Sequence, residues 1–397
     1  MVPADPLLGA QQQYTGMRVG FKRISVLYIP NQMTTIDGSG AQMSSIHITR
    51  VCLANLGSNF RVKKCVHTVY FQTTQVYFFH NAEWTELLQR RVQQYIGTPP
   101  EPLFNHKLCG ASPEMLKDWI VLLTEKNLQA VDNAKPVQGA SVVQDSVQFL
   151  FLTCDRMKMS SEVKYLSLEL FDRFMVQHVQ DLHEHVVNTS GMKTRGKDWH
   201  EIQNRVRNQV VLRVVSCIQI ASKLTSHYRI LSPHKARRFL IDSGHRYNTE
   251  SILQSELRIL KTLNFHVSVP SPLVYLECLL EAIGQAESSF EVKVLHGVTL
   301  KLLDMVYLQY GEIYSRLHQV AAGGSPVTQK DRECFASVRA DKMLLMVTLI
   351  TAGAYIIDRD SHEKVMVCLS KITSIPTEDI SDFASVILKT LMESSED

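Results

Sequence analysis

The sequence predicts an all-α fold: one leading helix and then two successive sets of five helices, behind an N-terminal extension of different character. Three observations predict it. From Ser112 onward, apolar residues recur at helical spacing with few interruptions. Two segments, 210–224 and 343–357, are apolar around most of a helical wheel, the pattern of a helix buried at the centre of a bundle. Residues 1–110 break from this pattern, with runs at 23–29, 45–56 and 63–79 rich in Val, Ile, Thr, Tyr and Phe. That is strand-prone composition, although alternation is imperfect and a poorly ordered extension fits it as well.

The elements follow in order. Gly97, Thr98 and the prolines at 99, 100 and 102 mark a boundary. Ser112 as N-cap and Pro113 at the first helical position open the leading helix, 112–135. Helices are expected at about 140–156, 160–186, 201–225, 232–242 and 248–264, which form a first domain over 140–267. Pro270 and Pro272 punctuate. A second domain over 270–393 carries helices expected at about 272–284, 289–310, 335–358, 361–372 and 377–393, interrupted by a Gly-rich loop at 321–326. Two sets of this size suggest a duplicated bundle.

Composition narrows the class. The 397 residues are 45% hydrophobic and 20% charged, enough to bury a sizeable core. The net charge of +3 is too small to argue for nucleic acid, and the basic excess sits in residues 1–110, with 10 Lys/Arg against 5 Asp/Glu. None of the 8 cysteines forms a CxxC pair, which argues against a zinc module or a disulfide scaffold and for a reducing compartment. No apolar segment follows Met1, so secretion is not expected, and the run 343–357 is too short for a bilayer. Cytosol or nucleus remains.

Motifs for chemistry are missing. The sequence contains no GxGxxG, GxxxxGK[ST], HExxH or GxSxG, so no enzyme and no cofactor is expected. His178, His183 and His185 lack the i, i+4 spacing of a helical metal site. Residues 190–240 hold eleven Lys/Arg against Asp198 and Glu201, a stripe that could meet nucleic acid or an acidic or phosphorylated partner, or form a solvated rim.

Two helices carry the functional signal. In 210–224 the only polar sector holds Ser216, Gln219 and Lys223, apart from Arg213, so the lysine lies at the edge of a core. In 248–264, Glu256 falls inside an apolar arc between Leu263 and Leu260. A carboxylate there needs a partner or a place in an interface.

Several segments together resemble cyclins: Ile220-Ala221-Ser222-Lys223-Leu224, the run from Ser255 to Phe265, and Leu170-Phe171-Asp172-Arg173-Phe174-Met175, with the matching spacing from Asp172 through Lys223 to Glu256. The resemblance runs from about 112 to 393 and is strongest to a meiotic branch of that family. It implies two tandem five-helix cyclin folds, a cyclin-dependent kinase and recombination-complex proteins as partners, and nuclear work at recombination intermediates in meiotic prophase. It places Lys223 and Glu256 as the polar pair that meets the kinase, with Asp172, Arg173 and Arg213 as structural residues of the box. No membrane partner is expected, since the 343–357 run is too short for a bilayer, and with a near-neutral helical region direct nucleic-acid binding is not expected either. Two other functions remain open: a kinase-free scaffold for recombination or clamp-loader factors, and a nucleic-acid-binding cyclin fold.

The chain departs from the family at three places. Val143 stands where an Arg partner for Asp172 is expected, leaving Arg213 as a candidate partner. Asp145 and Ser146 replace two aliphatics of the substrate-docking patch, and Val211 replaces a Gln. Docking of basic-hydrophobic substrate peptides is therefore expected to be weak.

Overall fold

The computed structural model describes residues 102–105, 110–189, 195–225, 229–321 and 335–394. The strand-prone runs of the N-terminal extension lie outside the described residues. Among the described residues there are thirteen helices and no strand. They are α1 (Pro113–Asp132), α2 (Gln144–Arg156), α3 (Ser161–Thr189), α4 (Arg195–Thr225), α5 (Pro233–Asp242), α6 (Thr249–Thr262), α7 (Pro272–Ala286), α8 (Val292–Leu308), α9 (Tyr310–Ala321), α10 (Ala336–Ala340), α11 (Lys342–Ile357), α12 (His362–Thr373) and α13 (Thr377–Ser394).

The chain divides into two compact units, whose described parts are 102–123 with 138–281 and 124–137 with 282–394. The division passes inside α1 and α7, so it falls about ten residues beyond the prolines at 270 and 272.

In the first unit α4 is the central helix, packed by α2, α3, α5 and α6. Val214, Val215, Cys217, Ile218 and Ala221 are wholly buried along it. Caps of ordinary chemistry set the shorter helices. Ser232 accepts from Lys235 N ahead of Pro233 in α5, and Asn248 accepts from Ser251 N at 2.7 Å ahead of α6.

In the second unit α11 is central and packs on α8, α12 and α13, with every residue from Met343 to Ala354 buried. The sequence predicts one helix over 335–358, but the chain breaks at Asp341. Its backbone leaves the helical region (φ −77°, ψ 89°) so that its carboxylate can cap Leu344 N at 2.8 Å. The expected helix at 289–310 likewise ends at Leu308, and α9 follows it at once. The second series thus holds two helices, α9 and α10, beyond the five predicted. The buried residues of α9, Tyr310, Ile313, Tyr314, Leu317, His318 and Ala321, fall at i, i+3, i+4, i+7, i+8 and i+11. This is an amphipathic signal that the aromatic content and the nearby Gly-rich loop obscure.

Gly353 of α11 packs tightly against α8. A Cβ there would lie 3.0 Å from Thr299 Oγ1 and 3.2 Å from Leu295 Cδ1 of α8. Thr299 is fully buried and its hydroxyl is bonded to Leu295 O at 2.7 Å, so it cannot yield. Gly353→Ala gains up to about 1 kcal/mol of helix propensity but overpacks the contact at a cost of about 1–3 kcal/mol. A lowered thermal midpoint is expected, and a raised one would show that α8 can retreat.

Candidate functional site

The candidate site lies in the first unit, where the last turn of α4 meets α6. Ser222, fully buried, fixes the end of α4. Its hydroxyl donates to Gln219 O (2.9 Å) and accepts from Leu231 N (3.0 Å), which pins the returning chain against the helix. The next residue, Lys223, is thereby held at the rim. Its Nζ meets Glu256 Oε1 at 2.5 Å. The two side chains differ in exposure, 38% for Lys223 and 11% for Glu256. The pair is thus half-buried, with the carboxylate on the inside and the ammonium facing water.

Exposed apolar side chains share the helix of Glu256. Leu253 and Leu257, one turn apart on α6, are 41% and 38% exposed. The arc expected from the wheel is therefore only partly core: Ile252, Ser255, Glu256 and Ile259 face inward, and the two leucines face out. Beyond α6, Asn264 and Phe265 take left-handed conformations (φ 48° and 59°), which turn the chain and leave Phe265 58% exposed. Arg173 of α3 fastens this turn by donating from Nη1 to His266 O at 3.0 Å. The site thus combines a half-buried ion pair with two exposed leucines of the same helix, a charged group at the margin of an apolar patch.

Asp172 and Arg213 hold different parts of the unit. Asp172 accepts from Gly139 N (3.0 Å) and Ser141 N (3.2 Å), so it anchors the loop that leads into α2. Arg213 is not its partner, contrary to the sequence expectation. Its Nη1 donates to Ser255 Oγ and its Nη2 to Gln209 Oε1, both at 2.7 Å, which ties α4 to α6. Backbone amides thus take the place of the arginine that Val143 replaces. Asp145, exposed in the first turn of α2, sits where a helix N-terminus favours a carboxylate, while Ser146 is half-buried. Of the clustered histidines, His178 stacks on Phe174 at 4.9 Å and His183 meets the edge of Trp199 at 4.9 Å.

Comparison with known proteins agrees with this architecture. Residues 119–268 match the family model "Cyclin, N-terminal domain". Mouse "Cyclin N-terminal domain-containing protein 1" is 35% identical over 280 residues, covering 69% of this chain and 83% of that protein. The human protein of the same name is 34% identical over 276 residues, covering 69% and 84%. Chicken "G2/mitotic-specific cyclin-B2" is 23% identical over 230 residues, covering 57% and 48%. The chain belongs to the cyclin family, whose members are regulators rather than enzymes.

Proposed function

We propose that this chain is a non-enzymatic cyclin-like regulator. It binds a cyclin-dependent kinase through the face around Lys223 and Glu256 and promotes the maturation of meiotic recombination intermediates into crossovers in the nucleus. One observation carries the kinase-facing part: an ion pair only partly removed from water, whose Glu256 lies on a helix that also exposes Leu253 and Leu257 and is followed by exposed Phe265. The pair holds itself in place before a partner arrives. Nζ and the carboxylate each keep unused hydrogen-bonding capacity for the backbone of an incoming helix. The identity to the two mammalian relatives over most of their length supports the family assignment. The meiotic role rests on the resemblance to that branch.

The test is direct binding of the purified full chain to purified cyclin-dependent kinases, together with crossover counts in meiotic cells lacking the protein. Stable one-to-one binding to at least one kinase and reduced crossovers are expected. Reduced crossovers without any kinase binding would favour a scaffold for recombination or clamp-loader factors. Salt-dependent DNA binding without kinase binding would favour the nucleic-acid reading.

A further inference from the structure

A second feature of the same unit is independent of kinase docking. Ten residues before Lys223, about 15 Å along the α4 axis, α4 and α6 border a recess of about 260 Å³. Arg213 and Arg258 line it together with Gln209, Tyr247, Ser251 and Gln254, and no carboxylate does.

Arg213 is the deep member, 7% exposed, and its Nε is buried without a partner. The hydrogen bonds it does make go to neutral groups, Ser255 and Gln209. The ring of Phe174 lies 5.6 Å from its guanidinium carbon. Among the described residues no carboxylate pairs with Arg213 or Arg258. Glu250 bonds Gln254 Nε2 at 2.8 Å but does not line the recess. Burial and the like charge of Arg258 both hold the Arg213 pKa below its ordinary value. His178 feels the same field: burial first, then Arg213 and Arg258, bring its pKa down to about 4. A buried cation costs free energy unless an opposite charge meets it, and an aromatic face compensates only in part.

We infer that the Arg213–Arg258 recess binds a phosphorylated side chain of a partner protein, the two guanidiniums holding the phosphoryl oxygens. A phosphomonoester carries a charge of about −1.5 to −2 near neutral pH and three acceptor oxygens, so it matches two arginines; a carboxylate matches one. The Ser251 hydroxyl, which lines the recess, supplies a donor that the fold does not use, and each Arg213 Nη has a second N–H beyond its bond to Ser255 or Gln209. A single recess with two converging cations fits one phosphoryl group, whereas a nucleic acid backbone needs a track of them.

The test titrates the full chain with a degenerate phosphoserine peptide mixture, its unphosphorylated counterpart, inorganic phosphate and a short DNA duplex. The phosphopeptides should bind, the unphosphorylated mixture should not, and inorganic phosphate should compete. Arg258 is exposed, so Arg258→Gln should fold normally and weaken phosphopeptide binding roughly tenfold or more. Arg213→Gln should do the same, with its fold checked by circular dichroism, and Lys197→Gln should change nothing. A rise in the His178 pKa on phosphate addition, followed by NMR, would report the anion at this site. The proposal fails if binding does not depend on phosphorylation, or if Arg258→Gln binds phosphopeptide as well as wild type. It also fails if only inorganic phosphate or only duplex DNA binds.

Discussion

Lys223→Ala and Glu256→Ala should each weaken kinase binding by roughly 30-fold or more, while an exposed change such as Lys197→Ala leaves it unaltered. Truncating one member of a charge pair desolvated at an interface typically costs about 2–5 kcal/mol, much of it from the charge left behind. Before binding, the two mutants should differ. Glu256→Ala strands an ammonium that is 38% exposed and can stay hydrated. Lys223→Ala strands a carboxylate that is 11% exposed, beside buried Ile252 and Ile259. Lys223→Ala should therefore lose more stability than Glu256→Ala, although both should keep wild-type circular dichroism, because the pair borders the core without filling it. Glu256→Gln keeps an oxygen for Nζ and should lie between. Titration calorimetry against the purified kinase reads the affinity, and thermal melts read the stability. Unchanged affinity in both alanine mutants, with intact folds, would remove this face from the kinase and favour the scaffold.

Helix identity was legible in the sequence wherever burial follows a simple period. α4 and α11 are apolar around most of their circumference, and both stand at the centres of their units. The proximity of Lys223 and Glu256 could be anticipated only from the cyclin resemblance, since 33 residues separate them and no local rule brings them together. What the sequence hid depends on contacts distant along the chain. The Arg213 partner was mistaken because a helical wheel shows that a cation is inside but not which helix it reaches; Ser255 lies 42 residues away on α6. The solvent-facing side of α6 was hidden for a similar reason. Leu253 and Leu257 lie in one apolar arc with Ile252 and Ile259, and only packing decides which half of the arc is covered. The break at Asp341 has the same origin, because it depends on a side chain 214 residues earlier.

That side chain is Asn127, and its replacement by alanine should be among the most damaging single changes in the second unit. α11 begins in the protein interior: Asn127 and Asp341 are both buried, and so is every residue from Met343 to Ala354. The first amides of a helix have no partner within it, and at the buried Met343 and Leu344 water cannot supply one. Asn127 Oδ1 accepts from Lys342 N (2.9 Å) and Met343 N (3.2 Å), and Asp341 Oδ1 takes Leu344 N (2.8 Å). Asn127 Nδ2 in turn donates to Asp341 Oδ1 at 2.8 Å, which steadies the capping carboxylate. Asn127→Ala removes all three bonds to Asn127 and leaves the buried Met343 amide, the half-buried Lys342 amide and part of a carboxylate unmet. At about 1–3 kcal/mol for each buried group left unsatisfied, the expected loss is about 3–5 kcal/mol. The loss should also depend on pH. Burial already holds the Asp341 pKa above its ordinary value, against the lowering effect of its bonds to Leu344, Asn127 and Met343. A carboxyl whose folded pKa is raised contributes stability at low pH and loses it as pH rises from the unfolded value through the folded one. Removing Asn127 raises that pKa further, so the deficit of the mutant should widen as pH rises above about 4. Melting the wild type and the mutant from pH 4 to pH 8 tests both parts. A deficit that stays flat across this range would mean that Asn127 does not set the Asp341 pKa. An unchanged melting temperature would mean that the buried start of α11 finds its hydrogen bonds elsewhere.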